Sequence, residues 1–100
     1  MPQSEDNFTD NTVRSRYELA VEGAVAFIDH VREGDAVAFM HTEVPESMAG
    51  KGIGSKLVRG ALDDARSRGF KVVPRCPFVQ EYAARHPEYQ DIILPLNKDQ

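Results

Sequence analysis

The sequence predicts an α+β fold in which three antiparallel strands are followed by a helix, a strand parallel to the third, and a second helix. Two turn signals, Glu22-Gly23 and Glu33-Gly34-Asp35, divide the early chain into strand-length pieces. A glycine-rich loop, Gly50-Lys51-Gly52-Ile53-Gly54, then separates an apolar run from a stretch of helical periodicity. Strand, helix and strand within about thirty residues close as a right-handed crossover, which makes the last strand parallel to the third.

Met1 to Asn11 is polar apart from Phe8, so residues 1–11 read as a disordered tail before a single domain over 12–100. From Val13 the chain alternates: Val13, Ser15, Tyr17, Leu19 and Val21 share one face, and Arg14, Arg16 and Glu18 the other. That is a half-exposed strand. After the Glu22-Gly23 hairpin, Ala24 to Val31 returns as the second strand. Ala36-Val37-Ala38-Phe39-Met40 is apolar on both faces, which suits a strand covered on both sides.

The helix after the glycine loop puts Ile53, Leu57, Val58, Ala61, Leu62 and Ala65 on one stripe. Gly69 stops it where a left-handed residue is wanted. Lys71-Val72-Val73-Pro74 forms the parallel strand. Pro77 then opens a second helix, with Phe78, Val79, Tyr82 and Ala83 as its packing face, and Pro87 ends it. Ile92-Ile93-Leu94 either adds an edge strand or packs on the core.

Composition narrows the function. A hundred residues, 41% of them hydrophobic, suit one small core. The net charge is −4 with both signs mixed along the chain, so no basic stripe points to nucleic acid. Cys76 is the only cysteine, which excludes an internal disulfide and fits a reducing compartment. No apolar run reaches membrane-spanning length and the N-terminus has no signal-peptide core, so a cytoplasmic location is expected. No His, Cys and carboxylate spacing suggests a metal.

The glycine loop carries the chemistry. A strand feeding a glycine-rich helix start gathers unpaired N–H groups at the positive end of the helix dipole, which suits a phosphate. A Walker loop is excluded because serine precedes lysine in Gly54-Ser55-Lys56 and no upstream glycine matches. A dinucleotide fingerprint is excluded because Gly50, Gly52 and Gly54 give G-x-G-x-G. Lys51, Lys56 and Arg59 lie within two turns of the helix start. Each could neutralise a ligand phosphate or serve as a solvated surface cation.

Val44-Pro45, with Gly50-Lys51-Gly52-Ile53-Gly54, resembles the acyl-CoA loop of the GCN5-related N-acetyltransferases, V-x-P-x-x-R-G-x-G-I-G/A. Ala49 departs from it, standing where most members carry arginine or glutamine. His41-Thr42-Glu43-Val44-Pro45 and Cys76-Pro77-Phe78-Val79 are similar to the small YjdJ-type subgroup. The resemblance covers roughly Val13 to Pro87. It implies an acetyl-CoA or coenzyme A site at Thr42, Val44, Ala49, Gly50, Lys51, Gly52, Ile53, Gly54, Ser55 and Cys76. It also implies an N-acetyltransferase acting on an unidentified amine, on a protein or other macromolecule. The alternative is a coenzyme A-binding or protein-interaction module without turnover, because the acceptor-wall helices of larger members are missing here. A monomer or weak homodimer is expected.

Four residues are candidates for the chemistry. Cys76 precedes Pro77 at a helix N-terminus, which favours a thiolate; it is a nucleophile, an acid for the departing thiol, or a small core residue. His41, at a strand end, could take a proton from an amine or from Cys76, or be structural. Glu43 shares its face by alternation and stands near the carboxylate that the resemblance implies. Tyr82 stands near the family's helical tyrosine that protonates coenzyme A, but its spacing with Phe78 also suits core packing.

Overall fold

The structure, a computed structural model, describes residues 6–94. Its strands are β1 (Asp6–Asn11), β2 (Arg16–Val21), β3 (Ala24–Glu33), β4 (Ala36–Glu43) and β5 (Lys71–Pro74), in sheet order β1-β2-β3-β4-β5. The first four pair antiparallel, and β5 runs parallel to β4. Helix α1 (Ile53–Ser67) fills the crossover, and α2 (Pro77–Arg85) follows β5. Short 3₁₀ turns stand at Glu46–Met48 and Pro87–Tyr89. The α+β class, the crossover and both helices are as the sequence predicts.

The core lies between one sheet face and the helices. Tyr17, Leu19, Ala26, Ile28, Val37 and Phe39 pack with Leu57, Val58, Ala61, Leu62 and Ala65 of α1 and with Val79 and Tyr82 of α2. Each fully buried Leu, Ile or Val contributes about 1.5–3 kcal/mol relative to exposure. Glu22 and Gly23 both have positive φ (51° and 85°), the geometry of a tight hairpin between twisted strands. At the end of α1, the Gly69 N–H donates to Arg66 and the Phe70 N–H to Ala65, with Gly69 at φ 78°. That is a left-handed helix stop.

Three expectations need correction. Residues 6–11 are not a tail but β1, a fourth antiparallel strand; residues 1–5 lie outside the described residues. The strand expected from Val13 is β2 and begins only at Arg16: Val13 is 93% exposed in the turn, and Ser15 takes a positive φ. The choice for Ile92–Leu94 resolves as both alternatives. Ile93 bridges Val72 in parallel while Ile92 is buried in the core.

One irregularity positions the site. The β3–β4 register shifts between Asp29 and His30, leaving Met40 as an extra residue on β4. Pairing of β4 with β5 stops at Phe39–Pro74. Beyond it, His41–Glu43 pairs only with β3, and the chain after β5 turns away into α2. The end of β4 is therefore an open edge facing a cleft.

Candidate functional site

The cleft begins where β4 outruns β5. The Cys76 N–H donates to the Phe39 carbonyl (3.0 Å), which fixes the start of α2 against the last paired residue of β4. Cys76 is buried, and its thiol donates to the Thr42 hydroxyl at 3.3 Å. Two residues on, the glycine loop follows the Glu46–Met48 turn. Gly50 and Gly52 take φ 80° and 72°, and nothing lies within 4 Å of a Cβ built on either. Positive φ, not crowding, is what requires glycine there.

The loop leaves its amides open. Ala49 and Lys51 donate to Glu46 and Met48 carbonyls. The N–H groups of Gly50, Gly52, Ile53, Gly54 and Ser55 donate to no acceptor among the described residues. Helix α1 has no side-chain cap and no acidic residue in its first turn. Its positive end therefore has neither a capping side chain nor a first-turn carboxylate to offset it. Gly54 has a different constraint: a Cβ there would stand 2.5 Å from Phe78 Cζ, so the ring of α2 lies directly on the helix start.

From the loop a groove runs between α1 and α2. One cavity of about 140 Å³ is lined by Ser55, Phe78, Glu81, Tyr82, Arg85 and His86. Its neighbour, about 300 Å³, is lined by Gly52, Ser55, Lys56, Arg59, Tyr82, His86 and Glu88. The Tyr82 and His86 rings stack at 3.9 Å with planes 12° apart. Burial raises the Tyr82 pKa, and the nearby Arg59 charge opposes that rise.

The structure divides the four candidates for chemistry. His41 and Glu43 pair with Asp29 and Phe27 of β3, on the face opposite the core, whereas Thr42 pairs with core residue Ile28. His41 Nε2 donates to Glu43 at 3.2 Å, and both side chains are about 60% exposed (59% and 61%). His41 makes no hydrogen bond to Cys76, and Tyr82 makes none to Cys76 or Thr42. Thr42 stands with Cys76, while Tyr82 stands with the groove. His86, Phe78 and Glu88 were missed as site residues. The four-residue spacings Ser55–Arg59, on one face of α1, and Tyr82–His86, across the end of α2, were the available signal. Among the described residues no cluster could hold a metal ion, and no helix is long and apolar enough to cross a membrane.

The model of the GCN5-related N-acetyl-transferases matches residues 16–92. Protein NATD1 of Xenopus tropicalis is 27% identical over 100 residues, 94% of this chain and 91% of that protein. Protein NATD1 of Homo sapiens is 35% identical over 61 residues, 59% of this chain and 54% of that protein. A solution structure of a GCN5-like protein from Staphylococcus aureus superposes with a TM-score of 0.73 at 22% identity. It covers 96% of this chain and 95% of its own, a likeness of fold.

Proposed function

The chain belongs to the GCN5-related N-acetyltransferase family, and from that premise we propose that it binds acetyl-CoA and transfers the acetyl group to an amine. One observation carries the reading. Five open amides at an uncapped helix start, turned together by the positive φ of Gly50 and Gly52, make a cradle that a pyrophosphate completes. The open edge of β4 offers backbone groups to the extended pantetheine arm, as a sheet edge does to a peptide.

For transfer, the acceptor nitrogen must lose a proton, attack the thioester carbonyl and expel the thiol. His41 is the base this geometry offers: Nε2–H is held by Glu43, so Nδ1 carries the free lone pair. A backbone N–H on the β4 edge would meet the developing oxyanion. The C–S bond then breaks, and the Cys76 thiol supplies a proton to the departing sulfur. A covalent acetyl-Cys76 route has less support, because among the described residues the side chain that Cys76 bonds is the neutral Thr42 hydroxyl, not a base. The exposure of His41 and Glu43 supports an acceptor amine on a macromolecule, since they offer no enclosed pocket. The same exposure favours the second reading, a coenzyme A-binding module without turnover.

Ser55→Glu tests the binding site. Position 55 is exposed in the first turn of α1, where a carboxylate favours the helix but repels a phosphate. The variant should melt no lower than wild type and lose the stabilisation that acetyl-CoA gives wild type. Equal stabilisation by ATP, NAD and coenzyme A, or an unaffected Ser55→Glu, overturns the reading. Release of free coenzyme A in the presence of amines separates turnover from binding alone.

A further inference from the structure

On α1, Ser55 and Arg59 stand four residues apart on one face, with Gly52 and Lys56 beside them. Tyr82 of α2 and His86, just past its end, form a stacked pair lining the same cavity. Tyr82 is only 8% exposed, yet its hydroxyl makes no hydrogen bond among the described residues. The ring is buried while the hydroxyl stays open to the cavity with its donor unused, so it is available to whatever enters there. The His86 Nδ1–H donates to the Tyr82 carbonyl at 2.8 Å, which fixes the tautomer and leaves Nε2 free. Arg59 has no ion pair among the described residues. Its charge is close enough to Tyr82 to act against the burial that raises that phenol's pKa.

A phenol and a guanidinium both donate into this small cavity, and His86 Nε2 joins them as a donor when the ring is an imidazolium, a lining that suits a phosphate rather than an apolar group. Arg59 lies seven residues beyond Gly52, a helical rise of about 10 Å. The cavity is therefore displaced from the amide cradle, yet shares Gly52 and Ser55 with it. Coenzyme A has this layout: a pyrophosphate on the ribose 5′ carbon and a separate monophosphate on the 3′ oxygen. Glu88, the one carboxylate lining this cavity, suits the ribose 2′-hydroxyl as an acceptor.

We infer that this groove is a subsite for the 3′-phosphate, formed by Arg59, Tyr82 and His86, and that it selects coenzyme A over dephospho-coenzyme A. The inference rests on the acetyl-CoA reading. It gives Tyr82 a role in recognition rather than in protonating the departing thiol.

Calorimetric titration of the full chain with coenzyme A and with dephospho-coenzyme A tests it, in wild type, Arg59→Ala and Tyr82→Phe. Wild type should prefer coenzyme A by about tenfold or more, the scale of one lost charge-assisted hydrogen bond. Arg59→Ala should weaken coenzyme A by a similar factor and leave dephospho-coenzyme A unchanged. Tyr82→Phe keeps the ring packing and should lose a smaller part of the preference. Equal wild-type affinities, or an Arg59→Ala loss that falls equally on both ligands, overturn the subsite and leave the acetyl-CoA reading standing. Binding of neither ligand overturns both.

Discussion

At Gly52 the backbone conformation, not the space around it, sets the cost of a side chain. With φ at 72° and nothing within 4 Å, Gly52→Ala should cost about 1–2 kcal/mol of left-handed strain, and Gly52→Asn less. Urea midpoints for the two variants check the order; equal losses would point to a clash instead. At Cys76, serine keeps the size and the hydrogen bond to Thr42, so Cys76→Ser should fold and bind coenzyme A normally. If the thiol is the acid for the departing sulfur, turnover should fall at least tenfold; wild-type turnover would make Cys76 structural. The glycine loop was legible because its order excluded two other phosphate motifs. The partnership of His41 with Cys76 does not form, since neighbours on a strand face opposite ways and Thr42, not His41, points to the core side.

Among the elements, β1 shows why a local reading of the sequence falls short. Its residues Asp6–Asn11 carry one aromatic and no strand-forming alternation, so propensity alone gives a tail. The strand is held by distant partners instead. Phe8 stacks on Tyr17 at 5.6 Å and lies over Gly60 of α1, where a Cβ would stand 2.8 Å from the ring. Asp10 accepts from His30 at 3.0 Å and pairs with Arg68 at 3.5 Å, tying β1 to β3 and to the end of α1. By contrast, α1 was legible because its apolar stripe repeats through four turns and buries as read. Phe8→Ala should therefore cost about 2 kcal/mol, below the range for a fully buried phenylalanine because Phe8 is half-buried. A shift under about 0.5 kcal/mol, the scale of an ordinary surface change, would mean that β1 stands outside the cooperative unit.

Across the whole molecule, two of the three tyrosines tie separate parts of the chain to one helix. Tyr17 of β2 donates to Asp64 and Tyr89 of the C-terminal turn donates to Asp63, both at 2.8 Å, so adjacent carboxylates on α1 receive one phenol each. Burial is the largest cause raising each pKa. For Tyr17 and Tyr89 the bond to a carboxylate adds to it, and for Tyr82 burial outweighs the opposing Arg59 charge. In the unfolded chain these phenols ionise near pH 10, while in the folded chain they stay protonated above it. Above about pH 10 the unfolded state thus binds fewer protons, and stability declines as pH rises. Each tyrosine contributes up to about 1.4 kcal/mol per pH unit to that decline. Against a total of about 5–15 kcal/mol, the two large rises, at Tyr17 and Tyr89, remove much of the stability within a few pH units. Tyrosinate absorbance and loss of helical ellipticity should then rise together in one steep transition well above pH 10. Tyrosinate forming near pH 10 in a chain that keeps its ellipticity would show that the phenols are not held as these hydrogen bonds require. Tyr17→Phe should flatten the decline by one proton's worth, because that variant has one phenol fewer to ionise on unfolding.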